Sequence, residues 1–131
     1  MRLRAMLWML LGLFALPLHA AAMKVALSQP SVSPDGSRIA FVANGGIWSV
    51  SGQGGSATLL VADDGGNDSR PLYSPDGKQL AFQSDGGGEA SGIYLLDLAS
   101  GVVRRLTWAD GGNQLDAWSR DGQWIYFSSA R

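Results

Sequence analysis

The residues able to do chemistry fall into two sets. Asp35, Asp76 and Asp121 recur inside a Ser Pro Asp Gly or Ser Arg Asp Gly motif. A denser polar set, Asp63, Asp64, Asn67, Asp68, Arg70, Asp110, Asn113, Gln114 and Asp116, occupies residues 63–70 and 110–116. Carboxylates of the first set could ligate a metal or act as acids. They are spaced roughly one repeat apart, however, and Asp before Gly is above all a turn former, because its carboxylate accepts local backbone amides. We read them as structural. The second set combines amides, carboxylates and a guanidinium, groups that recognise polar atoms of a protein or peptide. Its candidate binding residues are Asp64, Asn67, Asp68, Arg70, Asp110, Asn113 and Asp116. The competing explanation is that Asp Gly Gly Asn simply makes a favourable turn. Calcium is a minor variant, since no spacing here fits an EF-hand loop.

Catalysis has few residues to work with. The chain has no cysteine, and its single histidine, His19, falls in a segment with the marks of a targeting sequence. Arg2 and Arg4 open it, Ala5 to Leu16 is apolar, Pro17 breaks the run, and Ala20, Ala21 and Ala22 are small. A membrane span needs about 20 apolar residues, more than this run supplies. Residues 1–22 are therefore expected to be a secretory signal peptide, cleaved after Ala20 or Ala22. The mature chain is expected to be periplasmic or secreted, with no membrane span. Without Arg2 and Arg4, the ten basic residues become eight against eleven acidic, a net charge of −3. Nucleic acid is not an expected partner, because phosphate binding needs clustered Lys and Arg.

The absence of His and Cys beyond residue 22 excludes a Ser, His and Asp triad, a Cys nucleophile and ordinary zinc sites. Gly54 Gly55 Ser56 Ala57 Thr58 lacks the closing Gly of a nucleophile elbow, and Gly77 Lys78 is not set in a phosphate loop. A glycosidase-type carboxylate pair could be sought around Asp116, but nothing in the spacing places a second carboxylate at catalytic distance. No catalytic residue, metal or cofactor is expected.

The elements that must position the polar set are short strands. Tyr73 to Phe82, containing Ser74 Pro75 Asp76 Gly77, has relatives at Val32 to Phe41 and Trp118 to Phe127. Each copy reads as a β-hairpin, in which Pro fixes φ and Gly takes the left-handed position of the turn. A second series confirms the repeat. Ile47, Gly55 and Leu60 match Ile93, Gly101 and Leu106 at an offset of 46, as Asp64 Gly65 Gly66 Asn67 matches Asp110 Gly111 Gly112 Asn113. The motif Ser recurs at offsets of 41 and 45, because a loop of residues 85–92 lengthens the second unit. First strands are expected at residues 31–33, 72–73 and 115–118, and in the second strand of the first unit Ile39, Phe41 and Ala43 alternate with the equally apolar Ala40 and Val42, so both its faces are expected to be buried. That pattern suits sheets packed between sheets.

Four short strands per 40 to 50 residues is the pattern of β-propeller blades. The units resemble TolB-like propeller repeats, in which a Ser Pro Asp Gly turn precedes an aliphatic and Phe strand. Such repeats form TolB proteins and the propellers of prolyl-oligopeptidase-like and tricorn-like serine peptidases. Residues 67–73 and 115–122 look most like the tricorn-like propellers. The third turn departs from the pattern, with Arg120 where Pro stands in the others. The expected fold is all-β, an incomplete propeller of about two and a half blades of four antiparallel strands. It would cover residues 23–131, with blades near 28–66, 67–112 and a truncated 113–131.

Phe41, Phe82 and Phe127 share one repeat position and are expected in the core between blades. Trp48 and Tyr94 are equivalent and expected to pack. Trp108, Trp118 and Trp124 are candidate interaction anchors. In a propeller the segments joining blades lie opposite the Ser Pro Asp Gly turns, near the mouth of the channel, which is why the polar set is the candidate site. The expected function is an exported, non-catalytic scaffold that binds protein or peptide. The alternative is the N-terminal propeller of a tricorn-like or prolyl-oligopeptidase-like serine peptidase, whose nucleophile the resemblance places downstream. Open blade faces and edges predict self-association.

Overall fold

The computed structural model describes residues 25–62, 65–88, 90–108 and 111–130, so the expected signal peptide lies outside the described residues. Ten strands follow in order: β1 Ser28–Val32, β2 Arg38–Ala43, β3 Gly46–Ser51, β4 Thr58–Val61, β5 Asp68–Tyr73, β6 Gln79–Ser84, β7 Gly92–Asp97, β8 Val103–Arg105, β9 Asn113–Trp118 and β10 Ile125–Ser129. They form two four-stranded sheets, β1-β2-β3-β4 and β5-β6-β7-β8, and a two-stranded sheet of β9 and β10. Every pairing is antiparallel, and no described residue is helical. These are propeller blades in an unclosed array. Asn44 and Gly45, both at positive φ, make the two-residue turn that joins β2 to β3.

The three sheets stack face to face. Ala40, Ile47, Leu80, Phe82 and Leu96 form one buried cluster, joining the first sheet to the second. Ala81, Ile93, Leu95 and Leu115 form another, joining the second sheet to the third. Because side chains alternate along β6, Leu80 and Phe82 enter the first cluster while Ala81 enters the second. Two-sided burial is thus complete in the second sheet. In the first sheet Ile39 and Phe41 are only half-buried, since no described residue of another sheet covers the face bearing Phe41.

The shared Phe position therefore has three outcomes. Phe82 is 1% exposed and stacks on Tyr94 with ring centroids 5.5 Å apart, whereas Phe127 on β10 is 40% exposed. Phe127 shares its face with Ile125, which packs on the second cluster, but β10 has no described third strand to supply the cross-strand ring that Tyr94 supplies to Phe82. Trp48 donates from Nε1 to the Ala43 carbonyl at 3.1 Å but is half-buried beside Phe41 on the uncovered face, outside both clusters, whereas its counterpart Tyr94 packs on the first cluster. Of the candidate anchors, Trp118 is half-buried against the second cluster and donates to the Leu72 carbonyl at 3.1 Å. Trp108 and Trp124 are exposed.

The first strands begin earlier than the apolar pattern suggests, at Ser28, Asp68 and Asn113. A bulge explains the mismatch. Residues 29–30, 70–71 and 115–116 stand opposite the single residues Phe41, Phe82 and Phe127, so each innermost strand carries one extra residue. Gln29 and Arg70 take positive φ there, 52° and 51°, and Pro30 and Pro71, lacking an amide donor, fall where the ladder is interrupted. The polar residues N-terminal to the bulge are consequently strand, not loop.

Truncating Phe82 removes a fully buried ring between two sheets. Phe82→Ala should cost about 3–5 kcal/mol in urea unfolding, and Phe127→Ala well under half of that; equal losses would contradict the stacking order.

Candidate functional site

The three motif turns are built identically. In the first, Ser33 Oγ donates to Asp35 Oδ1 at 2.6 Å and accepts from the Arg38 amide at 2.9 Å, while the Ser37 amide donates to Asp35 Oδ1 at 3.0 Å. Ser74 with Asp76 and Ser119 with Asp121 repeat this arrangement at distances of 2.6–3.1 Å. These hydrogen bonds favour the ionised carboxylate. Led by the Ser33 hydroxyl, they pull Asp35 from the usual 3.8 to about 2, and the Ser74 and Ser119 hydroxyls lower Asp76 and Asp121 in the same direction. Carboxylates held this way are turn staples, as the sequence indicates. Among the described residues, no group of three or more His, Cys, Asp or Glu could hold a metal.

The turns also key neighbouring sheets together. Pro34 Cδ lies 3.6 Å from where a Cβ on Gly77 would be, and Pro75 Cδ 3.5 Å from the same point on Gly122. Pro of one unit sits against Gly of the next.

The candidate binding residues lie at the other end of the sheets. Asp64 and Asp110 fall outside the described residues. Asn67 is exposed and is gripped by Asp85, its amide donating to Oδ1 at 2.7 Å and its Nδ2 to Oδ2 at 3.0 Å. Asp85 belongs to the inserted loop and has a lowered pKa because of these bonds to Asn67. Asn113, matched with Asn67 in the sequence, is the structural counterpart of Asp68, since each opens the first strand of its sheet, and both are buried rather than displayed. Each donates its backbone amide to the β-turn of the preceding sheet, Asp68 to Gly45 at 2.8 Å and Asn113 to Ser91 at 3.0 Å. Their first role is to anchor one sheet on another.

Arg70 and Asp116 remain exposed. Arg70 Nη1 donates to the Leu115 carbonyl at 3.0 Å, and its amide donates to Gln29 Oε1. Gln29, Arg70 and Leu115 occupy the same repeat position in the three units, so the side chain of each innermost strand reaches the backbone of the next. Asp116 accepts from Ser128 Oγ at 2.6 Å and Gln114 Nε2 at 3.3 Å. Its pKa is lowered, chiefly by Ser128, then by Gln114 and the nearby Arg70 charge. Such a carboxylate is a weak base and a firm hydrogen-bond acceptor. Arg70, Gln114 and Asp116 thus form one polar patch, while Asn67 with Asp85 forms another and Asp68 and Asn113 are withdrawn.

Gln29 and Asp85 escaped the sequence reading. Gln29 could have been found by carrying Arg70 back by the repeat offset of 41; Asp85 had no signal beyond lying in an inserted loop.

Residues 24–131 match the model of the tricorn protease N-terminal beta propeller domain. The chain belongs to this propeller family. Solved structures agree. A structure described as TolB from Agrobacterium tumefaciens is similar with a TM-score of 0.68 and 26% identity, over 80% of this chain and 39% of that one. TolB from Acinetobacter baumannii gives 0.63 and 33%, over 76% and 25%. The tricorn protease gives 0.65 and 23%, over 73% and 10%, and so shows the fold alone. The chain spans well under half the length of each. Within the tricorn-type propeller, the bulged strands β1, β5 and β9 are the first of their sheets, and Asp116 replaces the proline of the other two units.

The turn carboxylates make stability depend on acid. Folded pKa values below the unfolded one mean that the unfolded chain binds more protons, so this stabilisation is complete above about pH 4 and is lost as pH falls through the folded values. For Asp35 the loss runs from 3.8 to about 2. The urea midpoint should be flat from pH 5 to 7 and drop below pH 4, and Asp35→Asn should weaken the fold at pH 7 while flattening the acid limb. Arg70→Ala should cost about 1 kcal/mol through the lost bond to Leu115. It should also move the Asp116 titration, followed by carboxyl NMR shifts, toward the ordinary value; an unmoved titration would contradict their coupling.

Proposed function

We propose that this tricorn-type propeller segment is an exported, non-catalytic scaffold that binds a protein or peptide through the Arg70, Gln114 and Asp116 patch. Asp116 carries the reading. It stands where the repeat has Pro30 and Pro71, is exposed, and is kept ionised beside an exposed guanidinium. A residue needed only for the blade would be expected to follow the repeat. Carboxylate and guanidinium side by side match the amide and carbonyl groups of an extended peptide, or a charged pair on a folded partner. The charged start and apolar run of residues 1–22 support export to a periplasm or the outside.

A second reading has support of its own. The family takes its name from a protease, and the chain covers a small share of the tricorn protease. On that reading the segment is the N-terminal propeller of a serine peptidase and its patch guides peptides toward a separate catalytic domain. The gene beyond the codon for Arg131 separates the two: further blades and a Ser nucleophile domain favour the peptidase, blades alone the scaffold.

Photocrosslinking tests the patch. A photoreactive residue at Gln114 should give discrete adducts in an exporting host, reduced several-fold by Asp116→Ala, while one at Ser100, in the turn at the opposite end, should not. Adducts from Ser100 alone, or a yield indifferent to Asp116→Ala, would overturn the assignment.

A further inference from the structure

At the end that carries the motif turns, the first and second sheets part and leave a cleft of about 550 Å³ between them. Small-molecule sites have volumes of about 300–1,000 Å³. Three polar side chains line it together. Ser49 of β3 is fully buried and accepts from Arg38 Nε of β2 at 2.9 Å, and the Tyr73 hydroxyl of β5 stands 3.5 Å from the same Oγ. That is long for a pair of hydroxyls, which usually sit about 2.7 Å apart when hydrogen-bonded. Among the described residues the Tyr73 hydroxyl has no closer partner, and the two Nη atoms of Arg38 have none.

The blades do not require this trio. The equivalent cleft between the second and third sheets has Gln79, Leu95 and Trp118 where the first has Arg38, Ser49 and Tyr73, and its volume is about 260 Å³. There Leu95 belongs to the second buried cluster and Trp118 packs on it. Both clefts keep a leucine at the next matched position, Leu60 in one and Leu106 in the other. A leucine and an indole take up the space in the second cleft, whereas a serine and a phenol leave it open in the first. Serine in place of leucine gives up apolar packing for one hydrogen bond, an exchange that suits a ligand better than it suits the blade.

The groups around the cleft specify the chemistry of that ligand. The unused guanidinium donors beside a phenol hydroxyl form a seat for one carboxylate. Asp35 and Asp76, also on the cleft, each spend Oδ1 on their own turns and leave Oδ2 without a hydrogen bond among the described residues. The turn bonds, led by the Ser33 and Ser74 hydroxyls, keep both ionised. Two fixed anions beside one cation repel a dianion and attract a ligand that carries its own ammonium group.

We propose that the Arg38, Ser49 and Tyr73 cleft binds a small zwitterion, a free amino acid or an unblocked dipeptide, with its carboxylate on Arg38 and the Tyr73 hydroxyl and its ammonium toward Asp35 and Asp76. Leu60 and Leu98 offer its side chain an apolar wall. The cleft is at the opposite end of the sheets from the Arg70, Gln114 and Asp116 patch, and either can fail without the other.

A nuclear magnetic resonance titration of the isotope-labelled chain tests it. The probes are alanine, lysine, alanyl-leucine, glycyl-phenylalanine and glycyl-lysine, added in turn. At least one should shift the Arg38 Nε–H and Ser49 amide resonances saturably at millimolar concentration or below. Acetylating that probe's amine or amidating its carboxylate should weaken binding about tenfold or more, and inorganic phosphate should not displace it. Arg38→Gln and Ser49→Leu, each installing the residue of the second cleft, should weaken it by about the same factor with unchanged β circular dichroism. Asp116→Ala should leave it intact. The proposal is overturned if no probe shifts those resonances, if phosphate binds as tightly as the zwitterions, or if the acetylated probe binds as tightly as the free amine. Should Ser49→Leu lose its β signal, Arg38→Gln, at an exposed position, still decides the outcome.

Discussion

Leu80 and Phe82 project from one side of β6 and Ala81 from the other, and the burial of both sides is the constraint on which the remaining structure depends. A sheet with apolar residues on both faces cannot hide them by itself. Only the second sheet has a described neighbour on each side, and only there are three consecutive strand residues fully buried. The first and third sheets each spend one face on the second. No described residue of another sheet covers their other faces, which hold the apolar groove at Trp48 and the exposed ring of Tyr126.

Close stacking requires that the polar ends of the sheets be satisfied without intruding between them. At one end the motif serine both donates to its aspartate and accepts a backbone amide, so a buried hydroxyl is used twice within a few residues. At the other end the sheets are pinned to each other by backbone: Asp68 to Gly45 and Asn113 to Ser91. Between these ends the bulge opposite Phe82 turns Arg70 outward while Pro71 is buried. A strand that merely alternated could not display a guanidinium next to a buried ring in this way.

The third unit departs from the other two at Asp116 and Arg120, both in positions where its predecessors have proline. Proline serves the local backbone in each case, at the bulge and at the turn. Replacing it with charge leaves the strand pairing and turn hydrogen bonds in place, as the Ser119 and Asp121 network shows. The repeat thus acts as its own control: what all units share belongs to the blade, and what one unit changes is available for other uses.

The sequence by itself determined the repeat, the turns and the propeller family, because all three rest on local rules: alternation at period two, the φ preferences of Pro and Gly, and the affinity of Asp for nearby amides. It also showed where polar residues concentrate along the chain. Tertiary structure decided which of those residues are displayed. Asp68 and Asn113 look as hydrophilic in sequence as Arg70 and Asp116, yet the first pair is drawn into the joint between sheets by backbone bonds to a turn some 22 residues earlier. Phe41, Phe82 and Phe127 are indistinguishable by position and differ in the sheets and strands described around them. Burial is a property of the neighbour as much as of the residue, and a neighbouring sheet is not written in the strand it covers.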